Sequence, residues 1–153
     1  MKVLLAIDDS ESSQLAARMV MEQARAKETE VLVLTVLRPP DLLVSREMAG
    51  YDATLEMIWQ QQGDAAKKLV GSVAGKVRKT GAIASWMLKL GEPPTKILEV
   101  AQKWHADLIV MGSPRQEKQD GYWTGGIPET IARRAHCSVE IVRGQQQETP
   151  AMV

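Results

Sequence analysis

The chain has no phenylalanine, one cysteine and two histidines in 153 residues, and its 19 basic side chains are balanced by 19 acidic ones. Each shortage excludes something. A lone thiol, Cys137, cannot close an internal disulfide. Two histidines far apart, His105 and His136, with no cysteine cluster, offer no metal-ligand spacing. A formal net charge of zero lacks the basic footprint of nucleic-acid binders, so neither DNA nor RNA is expected as a partner. No apolar run approaches the ~18–20 residues of a membrane span, and no charged segment followed by an apolar stretch marks a signal peptide. The expected location is therefore the cytoplasm, without membrane contact. Eight methionines are suited to filling irregular core gaps, because the thioether chain is flexible. One domain of this length buries about two-thirds of its unfolded surface and needs no staples.

What is present alternates. "KVLLAI" (2–7) is a continuous apolar run, as expected of a strand buried on both faces. It stops at Asp8, Asp9 and Ser10, and Ser10 is placed to cap a helix carrying Leu15, Ala16, Met19, Val20 and Ala24 at helical spacing. "EVLVLTVL" (30–37) is a second strand, ended by Pro39 and Pro40, which cannot donate to a ladder. Residues 41–50 show no period and read as a loop. From Ala53 to Arg78, Leu55, Ile58, Ala65, Ala66, Leu69, Val73 and Val77 recur in steps of three and four, which predicts one long helix despite Gly63, Gly71 and Gly75. "AIASWMLKL" (82–90) predicts a strand closed by Gly91. "EPPTKILEVAQKWH" (92–105) predicts a helix with Ile97, Leu98, Ala101 and Trp104 on one face. "DLIVMG" (107–112) predicts a strand, Ile127 to Ala135 a short helix and "SVEIV" (138–142) a last strand. The tail 144–153 is polar and reads as disordered. Strands separated by helices predict a parallel sheet with helices on both faces and right-handed crossovers. Ligands of such sheets sit beyond the strands' carboxyl ends, where strand order reverses. If the first and fourth strands are neighbours, that crevice lies between Asp8 and Gly112.

From Lys2 to Arg143 the chain resembles the universal stress protein family. "VLLAIDDSESS" is similar to that family's first strand and Asp-x-Ser turn. "GEPPTKILEVAQKWHADLIVMGS" resembles its Gly-acid-Pro helix and Met-Gly-Ser strand end, and "GGIPETIARRAHCSVEIVR" its closing helix and strand. The resemblance implies one domain over 1–143, an open five-stranded parallel α/β sheet in the order 3-2-1-4-5, Rossmann-like and of the adenine nucleotide alpha hydrolase type. It also implies two subclasses, of which one binds ATP through a Gly, two residues, Gly, nine residues, then Gly and Ser or Thr. Backbone N–H groups at such glycines and at a helix start favour phosphate. Here those positions are Gly112, Arg115, Gly125 and Gly126, and a further glycine position holds Lys118. The spacing is kept and two of the four residue types are not. A side chain at a left-handed position costs roughly 1–2 kcal/mol, whereas an arginine bond to phosphate contributes about 1.5–3 kcal/mol, so Arg115 can either obstruct or replace the lost contact.

Single residues carry paired readings. Asp8 matches a nucleotide-contacting position in the family's binders, and equally suits a turn acid beside a helix N-terminus. Val36 matches a position that packs beside adenine, or is a buried strand residue. Gly125 and Gly126 cradle an anion or punctuate a loop before Pro128. His136 and Cys137 point to opposite sides of an entering strand, which favours packing over a nucleophile pair. His105, Arg133 and Arg134 complement helix C-termini. Tyr122 and Trp123 sit in the polar loop as a plug, a ligand cap or a partner contact. The resemblance implies a homodimer that pairs the last strands antiparallel, through Val139, Ile141 and Arg143. The expected function is a non-catalytic stress-response protein acting by association with other proteins, with weak or lost ATP binding. The alternative is an ATP sensor that uses Arg115 and Lys118, with ATP and Mg as its cofactor. Enzyme chemistry is not expected, since no His-x-x-His, Ser-Gly-Gly loop or Gly-x-x-x-x-Gly-Lys is present.

Overall fold

The computed structural model describes residues 1–39, 53–113 and 126–144. In them the apolar runs and amphipathic stripes become β1 (Lys2–Ala6), α1 (Glu11–Gln23), β2 (Glu30–Leu37), α2 (Ala53–Lys79), β3 (Ile83–Leu90), α3 (Pro93–Trp104), β4 (Leu108–Ser113), α4 (Ile127–Arg134) and β5 (Ser138–Arg143). The readings of 41–50 as a loop, of the polar loop after β4 and of the tail from 145 onward lie outside the described residues.

All five strands run parallel, in the order β3-β2-β1-β4-β5. β1 and β4 are central neighbours, so the strand order reverses between them. Leu4, Leu5, Val31, Val33, Leu34, Ile109 and Val110 are buried as completely as their unbroken apolar runs require. One core layer packs α1 and α2 on Leu5, Val33 and Val110. The other packs α3 and α4 on Leu4, Leu34 and Ile109.

The ends follow local chemistry. The Ser10 side chain accepts the Ser13 N–H and caps α1. Glu92 is the N-cap residue of α3. His105 ends that helix in the left-handed region (φ 57°), with its N–H directed at the Ala101 and Gln102 carbonyls. Gly91 closes β3 at φ 141°, a conformation that side chains rarely adopt.

The stripe predicted for α2 is kept in part. Ala66 and Val77 are buried and Leu69 and Val73 pack against the core as expected, joined by the buried Val70 and Ala74, whereas Ile58 is 44% exposed and Ala65 is exposed. Twenty-seven helical residues span about 40 Å at ~1.5 Å each. Eight strand residues span only about 26 Å at ~3.3 Å each. The first turns of α2 therefore run beyond the sheet and find no strand to cover.

Candidate functional site

Three of the predicted site residues lie side by side at the carboxyl edge of the sheet. The register pairs Lys2 with Glu30 and Ala6 with Leu34, and continuing it sets Asp8 level with Val36. The β1–β4 register pairs Ala6 with Met111, which sets Gly112 beside Ile7. The chain leaving β1 is pinned to β2. Ile7 N–H donates to the Leu34 carbonyl (2.9 Å), and the buried Thr35 hydroxyl donates to the Ile7 carbonyl (2.9 Å).

Asp8 then organises the turn into α1. Its Oδ1 accepts from Ser10 N–H (2.9 Å) and from the Ser13 hydroxyl (2.8 Å), and its own N–H is directed at Ser13 Oγ (2.9 Å). Burial pushes the Asp8 carboxyl up, but the hydrogen bonds from Ser10 and Ser13 prevail and hold it below the ordinary 3.8 of an aspartate. Asp8 is thus an ionised turn acid whose bonded oxygen is already occupied. Ser12 and Ser13 are buried, and the Ser10 and Ser12 hydroxyls lie 3.1 Å apart.

Gly112 has a structural reason to be glycine. A Cβ there would strike the backbone carbonyl of Ser12 and come within 2.7 Å of its hydroxyl oxygen. The first turn of α1 rests directly on β4, so glycine at 112 is required by packing alone. Val36 is half-buried at the end of β2 and packs on the second core layer.

Gly126 is the N-cap residue of α4, with extended backbone (φ −60°, ψ 157°) and no side-chain cap. Its conformation does not demand glycine. What occupies the space is Glu129, whose Oε2 lies 2.5 Å from where a Cβ at 126 would stand. That oxygen is buried and has no hydrogen-bond partner among the described residues. Arg115, Lys118, Tyr122, Trp123 and Gly125 lie outside the described residues.

Cys137 is half-buried against the second core layer. Burial, with the negative charge of Asp107, pushes its thiol up, the opposite of what an activated nucleophile requires. His136, Arg133 and Arg134 are exposed. On β5, Val139 and Ile141 are half-buried and Arg143 is exposed. Among the described residues β5 pairs with β4 alone.

Sequence reasoning missed three contributors. Thr35 is hidden inside "EVLVLTVL", where a β-branched residue raises no alarm. Ser12 gives no signal, because its role is contact with a distant glycine. Glu129 was legible in principle, since an acid three residues after an N-cap is the capping-box position.

Comparison with known proteins places these residues in context. The model of the universal stress protein family matches residues 1–143. A universal stress protein of Synechocystis is 27% identical over 93% of this chain and 97% of its own length. UspA from Lactobacillus plantarum superposes with a TM-score of 0.74 at 19% identity, covering 94% of this chain and 97% of that one. A family protein from Arabidopsis thaliana with AMP bound matches at a TM-score of 0.67 and 16% identity over 99% and 97% of the two chains. A universal stress protein from Archaeoglobus fulgidus in complex with dAMP matches at 0.65 and 22% over 93% and 97%.

Proposed function

The chain belongs to the universal stress protein family, and from that premise we propose a non-catalytic stress-response protein of the cytoplasm. It acts by protein association as a homodimer through β5, with weak or lost ATP binding in its crevice. The observation that carries weak binding is Glu129. Its buried oxygen, unpartnered among the described residues, lies 2.5 Å from where the Cβ of a Ser or Thr at 126 would stand. A carboxylate at the start of α4 meets the helix dipole that a phosphate would otherwise meet, and it repels a phosphate.

In this reading Asp8, Val36 and Gly112 form the nucleoside side of the crevice. Gly125 and Gly126 would serve its phosphate side, and replacement of the absent glycine contacts by Arg115 and Lys118 belongs to the alternative, the ATP sensor. The relatives that hold AMP and dAMP favour a second reading, an ATP-dependent sensor with Mg, built on the same residues. Calorimetric titration of Mg-ATP into the wild type and into Glu129→Gln separates the two. Weak wild-type binding that tightens by about tenfold or more in the variant, ~1.4 kcal/mol, supports the first. Tight wild-type binding, or an affinity the variant leaves unchanged, contradicts it.

A further inference from the structure

The edge of the sheet at β3 is unlike its other elements. β3 pairs with β2 alone among the described residues. It is eight residues long, against a usual ~5–6. Natural edges are blunted by short length, proline, bulges or inward charges. Here Lys89 is the one charge in "IASWMLKL", and Ser85 its other polar residue. Ile83, Trp86 and Leu90 are 58%, 43% and 53% exposed.

The hydrogen-bonding direction is fixed by parity. Ile83 and Gly91 donate their N–H groups to the Thr29 and Leu37 carbonyls on the β2 side. The even positions Ala84, Trp86, Leu88 and Leu90 therefore turn their peptide groups outward. The Ala84 carbonyl accepts from Arg78 Nε (2.9 Å), which among the described residues leaves the stretch from Trp86 to Leu90 as the open ladder. Beside it, between α2 and the strand ends, runs a groove of about 310 Å³ whose lining includes Leu37, Trp59, Asp64, Lys67 and Leu88. Gly63 also lines it, and a Cβ there would meet nothing within 4 Å.

Charge selects the occupant. In a chain of zero net charge, residues 65–91 contain Lys67, Lys68, Lys76, Arg78, Lys79 and Lys89 and no acid, and the acids that bound them are Asp64, in the groove lining, and Glu92. All six basic residues are exposed. A second copy at this edge would bring two basic faces together, which costs free energy. Nucleic acid or an anionic membrane would meet the lysines but leave the peptide ladder unpaired. An acidic strand satisfies both.

We propose that the β3 edge accepts an extended, acidic peptide segment of a partner protein, which adds a sixth strand alongside Trp86, Leu88 and Leu90. Apolar residues of the added strand reach the groove beside α2, and its carboxylates meet Lys67 of the groove, its neighbour Lys68, and Lys89. The proposal rests on the reading of the chain as a protein that acts by association. Nucleotide binding and β5 pairing can each fail without touching it.

The test is nuclear magnetic resonance of the labelled full chain, titrated with a capped decapeptide of alternating valine and glutamate. A valine–lysine decapeptide and phosphatidylserine vesicles serve as comparison probes. The expected result is that only the acidic peptide shifts the Trp86, Leu88 and Leu90 amides. Lys67→Glu with Lys68→Glu should weaken it by about tenfold or more. Leu90→Pro, which removes an outward N–H that β2 does not use, should abolish binding with the wild-type thermal midpoint kept. The proposal is overturned if the acidic peptide does not bind, if both peptides bind alike or if the shifts map to β5 or the crevice. Unchanged affinity in the double lysine variant, or binding to vesicles alone, overturns it as well.

Discussion

At the scale of single residues, the site is a set of groups whose reasons are partly structural. Gly112 matches the family's phosphate spacing, yet its lack of a side chain is already required by the Ser12 backbone. Gly112→Ala is expected to destabilise the fold by roughly 1–3 kcal/mol, the range for overpacking a close contact, as read by urea unfolding. A loss below a few tenths would show that α1 can lift away from β4. Gly126 is the contrasting case. Its extended backbone accepts any residue, and only the tip of Glu129 crowds it. Gly126→Ser should leave unfolding free energy within about 0.5 kcal/mol of wild type, since serine caps better than glycine by only a few tenths.

Asp8 adds a pH dependence. Its folded pKa lies below the ordinary 3.8, so its contribution is fully present above the unfolded value and is lost as pH falls through the folded one. The stability gap between wild type and Asp8→Asn should therefore close as pH drops below about 4. A gap that stays constant from pH 6 to pH 2 would deny the Asp8 bonds their role. Asp8 and Gly112 were legible because they end apolar runs. Ser12, the partner of Gly112, was not, because close approach between elements leaves no periodic trace.

At the scale of elements, periodicity carried most of the information. β2 falls at 30–37 as the run "EVLVLTVL" requires, and the remaining boundaries coincide or differ by one residue, where caps rather than hydropathy decide. Ser10 is the clearest such cap. Ser10→Ala should cost about 0.5–2 kcal/mol, and a smaller loss by thermal unfolding would assign the turn to Asp8 alone. The one stripe misread in part is that of α2. A repeat of three and four residues shows which face is apolar, but not where the sheet beneath it stops. Ile58 continues the pattern past the strands and emerges exposed.

At the scale of the whole molecule, the order β3-β2-β1-β4-β5 follows from one fact the alternating pattern alone does not contain, the adjacency of β1 and β4. The resemblance supplied it. The same order leaves two edges of different character. β3 is long and largely apolar, with Lys89 in the strand and Lys67 in the groove beside it. β5 is shorter and mixes Glu140 and Arg143 with Val139 and Ile141, which suits pairing with itself. Light scattering should give a dimer at micromolar concentration and a folded monomer for Ile141→Lys. A wild-type monomer would refute pairing through β5.

The central claim is that the nucleotide crevice is present but weak, and the most direct measurement is the thermal midpoint of the wild type titrated with Mg-ATP, with GTP as control. A ligand at a hundred times its dissociation constant adds about 2.7 kcal/mol, which for a chain this size is a rise of roughly 5–11 °C. The account predicts a rise of no more than about 2 °C at millimolar ATP, as expected near the dissociation constant itself. A saturating rise above about 5 °C at micromolar ATP, absent with GTP, would contradict it and make the chain a nucleotide sensor.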